Sequence, residues 1–416
     1  MRQKENDLIV AIDIGSSKIS VAISEINDTG NISIIGIGKS DTKGGMRNGI
    51  IINIESVVKA INEAVEQAEI QAGREISSAI VGVSGNNVES LNSKGIVAIS
   101  GNDKEIREFD ITRVIEAAKA VAIPMDRQIL HIIPQNFTVD GQEGIKYPVG
   151  MVGTRLECQI HIITTGISSI QNVVKSMDRT GLSISNVVLQ NLANAKSILY
   201  EDEKELGVLL IDLGAETAKV TVYCEQAPFY NAIYSLGGCL ITNDIIAGLK
   251  VPYATAEKIK VVYGVASFDY VSKDEVIEIP SVGGRIPKIV KRSDLVYIIR
   301  PRVEEIFEII KEDLTRKGFI DKINGGVVLT GGTSLLTGIT DVAQEIFETS
   351  ARIGYPHKFS GLGDQISGPE YSVLNGLILW GYERFNRSND IFSKSKKEEY
   401  KGGFLKKVKT ILEGFF

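Results

Sequence analysis

The chain contains the same strand–turn–strand pattern twice. The first copy is the apolar, β-branched run Leu8–Ile14, followed by the turn GSSK and by a second apolar run, Ile19–Ile23. The second copy begins with GVLLID at 207–212 and continues through LGAETAK into VTVY. Apolar runs bounded by small turn residues predict β-hairpins. A hairpin pattern that occurs twice predicts an internally duplicated fold with two similar lobes.

Length and charge limit the classes of protein that can carry this duplication. With 416 residues, 43% of them hydrophobic, the chain can bury a large apolar surface, and its length favours more than one domain. The formal net charge is -6 and the pI is about 5.4. Nucleic-acid binders usually present a basic face, so we expect no nucleic-acid partner.

The sequence lacks the usual signals for export, cross-linking and membrane spanning. Its cysteines, Cys158, Cys224 and Cys239, are odd in number and show no CxxC spacing, which argues against a disulfide framework or a zinc site. The N-terminal residues MRQKENDLIV contain no apolar signal region. No run approaches the roughly 18 apolar residues that a spanning helix needs. We therefore expect a cytoplasmic protein whose membrane contact, if any, is peripheral.

The hydrophobic pattern changes between the two hairpins. Residues 55–69 carry apolar side chains at helical spacing, with Gly73 as a stop signal and the strand-like Ala79–Val83 after it. Residues 84–165 show short strands, turns and one helical stretch, which predicts an inserted α+β subdomain. The predicted domains are 1–83 (first part of lobe 1), 84–165 (inserted subdomain), 166–204 (second part of lobe 1), 205–385 (lobe 2, with a final helix packing back toward lobe 1), 386–402 (flexible linker) and 403–416 (amphipathic helix).

The turn of the first hairpin has the composition of a phosphate site. Its small residues Gly15, Ser16 and Ser17 allow backbone N–H groups to approach a polyphosphate. Asp13, at the strand end, can hold magnesium through water, because Mg²⁺ usually takes one or two carboxylates beside substrate phosphates. Lys18 can neutralise phosphate charge.

The turn of the second hairpin repeats this composition. Asp212 ends a strand, and Gly214, Ala215, Glu216 and Thr217 follow it. Two such turns can close on one nucleotide from opposite lobes. We therefore predict a magnesium-nucleotide site in a cleft, with the two aspartates as metal ligands and as catalytic candidates.

Two further glycine segments are candidates for contact with the nucleotide. Gly331, Gly332 and Thr333 form a turn between a strand and a helix, where the backbone can lie against an adenine or a ribose. Gly237 and Gly238 precede a long helical region. Each turn alone is equally well explained as an ordinary connection, since Gly and Ser are common in turns. It is their number and order that favour the functional interpretation.

In chain order, the turn of the first hairpin, the turn of the second hairpin and the segment Gly331–Thr333 resemble the phosphate 1, phosphate 2 and adenosine motifs of the actin-like ATPases. The resemblance implies an α/β, duplicated, ribonuclease H-like two-lobed fold that binds ATP with Mg²⁺. In that superfamily a helix of the second lobe supplies an acidic residue to the ribose and a lysine near the base, and AEKIK matches this segment at Glu257 and Lys260. The alternative is an ordinary i, i+3 pair on a solvated helix face.

One long stretch narrows the resemblance to a family. HIIPQNFTVDGQEGIKYPVGMVGTRLECQIHII resembles the SHS2-type subdomain inserted in the bacterial division family FtsA, and SLGGCLITNDIIAGL resembles another FtsA segment. The resemblance covers residues 8 to about 382. It implies a cell division protein that forms filaments with its own copies, receives the C-terminal peptide of FtsZ and recruits later division proteins.

Gln190 departs from the family pattern. Gln190-Asn191 stands where many FtsA chains carry Glu-Pro, close to the position that relatives place near the attacking water. A glutamine can orient water but cannot act as a strong base. We expect slow nucleotide turnover at most and leave open whether the chain is an enzyme.

The C-terminal segment 403–416, GFLKKVKTILEGFF, has the pattern of an amphipathic helix. Lys406, Lys407, Lys409 and Thr410 fall largely on one side. An apolar face of this kind enters the headgroup region while lysines meet anionic lipid, which predicts a peripheral anchor at the cytoplasmic face of the membrane. The alternative is a helix docked on the protein's own body. The apolar side consists of Phe404, Leu405, Val408, Ile411, Leu412, Phe415 and Phe416.

Other classes on the same fold remain open. A sugar or acetate kinase needs a general-base carboxylate aimed at an acceptor hydroxyl, for which the sequence offers no obvious candidate. The pilus-assembly relative PilM shares the inserted subdomain but lacks a comparable terminal helix. A heat-shock-type chaperone is not expected, because it requires a long substrate-binding region after the ATPase body and the chain ends too soon for one.

Overall fold

The computed structural model describes residues 8–27, 30–279 and 287–395. Lobe 1 is built on a six-stranded sheet in the order β11-β6-β1-β2-β3-β19. The first hairpin, β1–β2, is antiparallel, whereas β6 and β11 are parallel to β1. The strands are β1 (Leu8–Ile14), β2 (Lys18–Ile26), β3 (Ile32–Asp41), β6 (Ser78–Val83), β11 (Ser183–Leu189) and β19 (Ser360–Gly361), and β4 (Met46–Arg47) pairs with β5 (Ile50–Ile51) beside them.

Lobe 2 repeats this topology. Its five-stranded sheet has the order β14-β13-β12-β17-β18, with the same directions as β3-β2-β1-β6-β11. The predicted duplication of the hairpin is therefore confirmed. The strands are β12 (Val208–Leu213), β13 (Ala218–Cys224), β14 (Ala227–Tyr234), β17 (Val327–Thr330) and β18 (Ala351–Ile353), with the small hairpin β15 (Val276–Ile279) and β16 (Lys288–Lys291) nearby.

The inserted subdomain is a four-stranded antiparallel sheet covered by one helix. The strand order is β7-β10-β8-β9, and helix α2 packs on one face through Val114, Ile115 and Ala118. Gly95 permits this packing, because a Cβ there would lie 2.3 Å from Val114 O. The elements are β7 (Glu89–Ala98), β8 (Arg127–Val139), β9 (Gln142–Ile145), β10 (Arg155–Gly166) and α2 (Glu108–Lys119).

The remaining helices cover the two main sheets. α1 lies close to β3 because Gly36 and Gly38 carry no side chain there: an added Cβ would approach Ala68 O to 2.2 Å and Ala64 O to 1.7 Å. The predicted helix at 55–69 is confirmed as part of α1, and Gly73 ends it with φ +64°. The helices are α1 (Ile54–Ala72), α3 (Ile167–Thr180), α4 (Gln190–Ile198), α5 (Glu201–Leu206), α6 (Gly238–Leu249), α7 (Tyr253–Tyr263), α8 (Arg292–Arg316), α9 (Ile339–Phe347) and α10 (Ser372–Ser395).

Two helices join the lobes. α4 runs from lobe 1 toward lobe 2, and α10 returns the chain to lobe 1, where Leu374 and Leu377 pack with Ile9 and Ala11. α10 continues to Ser395, beyond residue 386, where the sequence predicted a linker to begin. Residues 386–395 contain no glycine or proline that would end the helix. The predicted amphipathic helix at 403–416 lies outside the described residues.

Candidate functional site

The two hairpin turns have the same hydrogen bond. Gly15 N donates to Lys18 O at 3.0 Å in the first turn, and Gly214 N donates to Thr217 O at 2.9 Å in the second. This match makes the two aspartates, each one residue before its strand end, equivalent positions. Their side chains are buried, Asp13 at 8% and Asp212 at 3% exposure.

Helix α4 contacts both aspartates with side-chain amides. Gln190 Nε2 donates to Asp13 Oδ1 at 2.8 Å and to Ile14 O at 3.1 Å. Asn194 Nδ2 donates to Asp212 Oδ2 at 2.7 Å. Residues four apart lie on the same helix face. The carboxylates of the two lobes therefore contact the same face of α4, one turn apart.

The two carboxylates differ in electrostatics. Lys219 Nζ lies 2.7 Å from Asp212 Oδ2 and forms a largely buried ion pair with it. Burial raises the pKa of Asp13 to about 6, with Lys219 and Lys18 opposing the rise and Asp212 adding to it. Asp13 is therefore protonated more easily than an ordinary aspartate.

Lys18 extends toward a segment that precedes α10. Its Nζ lies 4.0 Å from the centroid of the Tyr371 ring, a cation–π geometry. Burial lowers the pKa of Lys18, Lys39 lowers it further, and Glu370 raises it. In the described part of the chain, Glu370 Oε2 is buried and has no hydrogen-bond partner. This end of the cleft thus carries one lysine and one carboxylate.

The first turn also holds a neighbouring loop. Thr42 Oγ1 donates to Ser16 O at 2.6 Å, Thr42 N donates to Ser17 O at 3.1 Å, and Gly49 N donates to Ser16 Oγ at 3.1 Å. Asn48 N, from the same loop, donates to Glu216 Oε2 of the second turn at 2.7 Å. This bond joins the two lobes directly beside the aspartates.

The predicted adenosine segment lies against the second turn. Gly331 has φ +83°, and a Cβ there would lie only 2.2 Å from Asp212 Oδ1. Thr333 Oγ1 donates to Gly214 O at 3.0 Å, and Gly332 is exposed. The structure therefore places Gly331 against the aspartate of lobe 2 and Thr333 against the turn that follows it.

The start of α6 packs on the same turn. Gly238 N donates to Gly214 O at 3.0 Å and Cys239 N donates to Ala215 O at 2.7 Å. A Cβ on Gly237 would lie 2.7 Å from Ala215 O, so only glycine allows this approach. These first amides of α6 are occupied by the turn, which they hold in place.

Glu257 and Lys260 belong to the same cluster. Lys260 Nζ donates to Glu257 Oε2 at 2.8 Å, to Thr242 Oγ1 at 2.9 Å and to Gly238 O at 3.0 Å. Thr242 Oγ1 also donates to Glu257 Oε2 at 2.5 Å. With 11% of its side chain exposed, Lys260 is held inside a network rather than on a solvated helix face.

The donor set fits magnesium that arrives with phosphates. The described ranges 8–27, 30–279 and 287–395 contain no cluster of three or more His, Cys, Asp or Glu side chains suited to a metal ion. Mg²⁺ in phosphate sites needs only one or two carboxylates, and it keeps waters in its other positions. Asp13 and Asp212 supply that number from facing lobes.

Two family profiles match the chain. "SHS2 domain inserted in FTSA" matches residues 85–164, and "Cell division protein FtsA" matches residues 209–376. FtsA of Borreliella burgdorferi is 42% identical over 96% of this chain and 98% of the relative. The chain belongs to the FtsA family. FtsA of Pseudomonas aeruginosa is 39% identical, covering 98% of both chains, and that of Escherichia coli K12 is 36% identical, covering 92% of both.

Solved structures show that the FtsA chain has the actin-like fold. The PilM–PilN type IV pilus biogenesis complex matches with a TM-score of 0.62 at 16% identity, covering 90% of this chain and 98% of the other. MreB5 of Spiroplasma citri matches with a TM-score of 0.56 at 12% identity, covering 93% and 99%. The predicted fold class, with its SHS2-type insertion, is confirmed. No helix within the described ranges is long and apolar enough to cross a membrane.

Several site residues of this FtsA chain were not predicted from the sequence. Asn48, Glu370 and Tyr371 lie outside the quoted motifs. Lys219 ends LGAETAK, Thr242 lies in SLGGCLITNDIIAGL, and Asn194 stands one turn after Gln190 in α4. Lys219 lies in strand β13 directly opposite Asp212 of β12, so their contact depends on the pairing register of these two strands. The residues missed are Asn48, Asn194, Lys219, Thr242, Glu370 and Tyr371.

Proposed function

We propose that this chain is an actin-like, ATP-binding division protein that polymerises, attaches FtsZ filaments to the cytoplasmic membrane and recruits later division proteins. One observation carries the nucleotide part: Asp13 and Asp212, from equivalent hairpins of opposite lobes, meet on one face of α4 through Gln190 and Asn194. Membership of the FtsA family supports the division part.

The phosphate end of ATP lies between the two turns in this proposal. Magnesium, when bound, neutralises phosphate charge and is held by Asp13 and Asp212. Lys18 reaches the phosphates from lobe 1, leaving its place over Tyr371. The residues of the two turns complete the phosphate contacts, and they are Gly15, Ser16, Ser17, Gly214, Ala215, Glu216 and Thr217.

The nucleoside end lies on lobe 2. The contacts around Gly214 support this assignment, because Gly238 N and Thr333 Oγ1 both donate to its carbonyl oxygen. Lys260 is held beside the same glycine segment by its bond to Gly238 O. We assign Glu257 to the ribose and Lys260 to the base, with Gly237, Gly238, Gly331, Gly332 and Thr333 as the backbone surface.

ATP hydrolysis is slow at most in this proposal. Gln190 occupies the place next to the phosphates, and its amide nitrogen already donates to Asp13 and to Ile14 O. An amide can orient a water molecule but cannot take its proton. ATP then acts mainly by holding the lobes together. MreB5, a neighbour in fold, was solved bound to ADP, which agrees with a nucleotide in the cleft.

The segment 403–416 is the proposed anchor. A single short amphipathic helix binds lipid weakly and reversibly, so stable attachment requires several copies held together. Filaments of this chain supply those copies, and head-to-tail contacts that do not close form such filaments. The filament then lies on the cytoplasmic face of the membrane at the division site and receives the C-terminal peptide of FtsZ.

The test is ATP binding by an Asp212→Ala variant. Removing this carboxylate takes away a metal ligand and leaves Lys219 without its buried partner, so we expect Mg-ATP affinity to fall at least about tenfold. Isothermal titration calorimetry with Mg-ATP measures it. Asp202→Ala, at an exposed aspartate, is the control and keeps the original affinity. Normal affinity in Asp212→Ala would rule out the proposed site.

The alternatives have less support. The likeness to PilM, at 16% identity, concerns the fold alone, whereas relatives at 36–42% identity over nearly the whole chain are cell division proteins. A sugar or acetate kinase requires a base for an acceptor hydroxyl. At the cleft, Asp13 and Asp212 are both engaged by the amides of α4.

A further inference from the structure

The inserted subdomain is bound to the edge strand of lobe 2. Ser90 Oγ donates to Asn231 O at 2.9 Å, and Asn231 N donates back to Ser90 Oγ at 3.0 Å. Asn92 Nδ2 donates to Phe229 O at 3.0 Å, and Gln135 Nε2 donates to Pro228 O at 2.8 Å. Strand β14 thus has β7 and β8 of the subdomain as neighbours.

A chain of side chains continues from the exposed Asn92 at this junction into lobe 2, where its other members are buried. Asn92 Oδ1 accepts from His161 Nδ1 at 2.7 Å, and His161 Nε2 accepts from Asn231 Nδ2 at 3.0 Å. Asn231 Oδ1 accepts from Thr221 Oγ1 at 2.9 Å. Every donor in this series meets an acceptor, with the histidine proton on Nδ1. The chain therefore has one consistent direction.

The last link reaches the helix that holds the nucleotide aspartates. Asn191 Nδ2 donates to Thr221 Oγ1 at 3.3 Å and to Val220 O at 3.1 Å. Asn191 lies in α4 between Gln190, which donates a hydrogen bond to Asp13, and Asn194, which donates one to Asp212. We call the series Asn92–His161–Asn231–Thr221–Asn191 the amide relay.

Asn191 is not locked in a single arrangement. Its Nδ2 is shared among three acceptors at 3.1 to 3.5 Å, and in the described part of the chain its buried Oδ1 has no partner. Buried acceptors without a partner are costly. A small movement of α4 against β13 and β14 would change which of these bonds form.

We infer that the amide relay couples the nucleotide cleft to the inserted subdomain: ATP moves α4, and this changes how tightly the subdomain holds β14. The inference rests on the proposed function, because it needs ATP at Asp13 and Asp212. Coupling of this kind is reciprocal, so whatever binds the subdomain and shifts it also changes the affinity for ATP. The subdomain becomes a regulatory input to the cleft.

Hydrogen exchange on the full chain tests the relay. Thr221→Val removes the one hydroxyl that joins Asn191 to Asn231, and valine suits a buried strand. With Mg-ATP, we expect exchange in peptides of β7 and β14 to change about threefold or more in the unmodified protein. In Thr221→Val this response is lost, while the hairpin peptides 13–18 and 212–217 still respond, which also shows that the variant is folded.

Lys146→Met is the matched control. Lys146 Nζ crosses the same junction, donating to Gln135 O at 3.0 Å and to Glu225 O at 2.5 Å, but it lies outside the relay. This variant should keep the response of β7 and β14. The inference is overturned if Thr221→Val responds like the unmodified protein, if Lys146→Met loses the response equally, or if only the hairpin peptides ever respond. Silent hairpin peptides in the unmodified protein would instead overturn the nucleotide site itself.

Discussion

Asp13 and Asp212 occupy equivalent positions but have different partners. A buried carboxylate is costly unless it is paired and hydrogen-bonded. Asp212 forms an ion pair with Lys219 and accepts a hydrogen bond from the Asn194 amide. Asp13 accepts a hydrogen bond from the Gln190 amide, and burial raises its pKa. The same local fold therefore surrounds its carboxylate with different groups in the two lobes.

The raised pKa of Asp13 makes magnesium-dependent ATP binding sensitive to pH. Burial raises the pKa of Asp13 to about 6, so its carboxylate becomes protonated below that pH and loses its hold on the metal. We expect the affinity for Mg-ATP to fall between pH 7 and 5, approaching tenfold per pH unit. Fluorescence titration with a nucleotide analogue measures it. Asp13→Asn should bind more weakly with a flatter pH profile; parallel profiles would contradict the assignment.

His161 makes the stability of the protein depend on pH. Burial lowers its pKa to about 3, well below the value of about 6.5 expected in the unfolded chain. The unfolded state therefore binds a proton first, and the free energy of unfolding decreases as the pH falls below about 6.5. Between pH 7 and 5 this amounts to about 2 kcal/mol. Urea unfolding of His161→Gln should lack this loss; equal pH dependence in both proteins would count against it.

At the scale of elements, the close packing beside β12 requires a glycine at position 331. Gly331 needs φ +83° and leaves no room for a Cβ next to Asp212 Oδ1. The Thr333 hydroxyl donates a hydrogen bond to the carbonyl oxygen of Gly214 in the second turn. The strand end, the turn and the glycine segment thus form one packed unit, in which each part fixes the position of the next.

Gly331→Ala should displace the Asp212 carboxylate. The new Cβ would lie 2.2 Å from Oδ1, and the positive φ adds strain, so we expect loss of Mg-ATP affinity and destabilisation by more than about 1 kcal/mol. Calorimetric titration and thermal unfolding measure these effects. Gly181→Ala is the control, with φ +79° but open space around it, and should affect stability without changing affinity. Equal affinity losses in both variants would refute the role of the clash.

The elements that the sequence predicted share a local cause. The two hairpins, α1 and the strand ending at Val83 follow from apolar periodicity and from turn residues that lie close together in the chain. The contacts that it did not predict are long-range: Gln190 and Asp13 are 177 residues apart. Such a pairing depends on how α4 crosses between the lobes, which no local pattern encodes. The helical stretch up to Ser395 was missed because polar residues were taken as a stop, although no helix-breaking residue occurs there.

At the scale of the whole molecule, two copies of one topology hold a cleft from opposite sides. The lobes meet through α4 and α10, through the bond from Asn48 to Glu216, and through the inserted subdomain on β14. A relative movement of the lobes would act on these contacts together. ATP bound in the cleft, neighbouring copies in a filament and a partner on the subdomain would therefore act on one shared set of bonds.

Membrane attachment of the whole protein is expected to depend on the apolar face of segment 403–416. Val408→Asp puts a charge on that face, whereas Thr410→Asp puts the same charge on the polar face. Because the apolar side has to enter the headgroup region, Val408→Asp should abolish flotation with anionic vesicles, as deletion of 403–416 should, and Thr410→Asp should weaken it only modestly. Raising the salt concentration should reduce flotation of the unmodified chain, since its lysines contact anionic lipid. A helix docked on the protein's own body would instead give equal flotation with and without the segment.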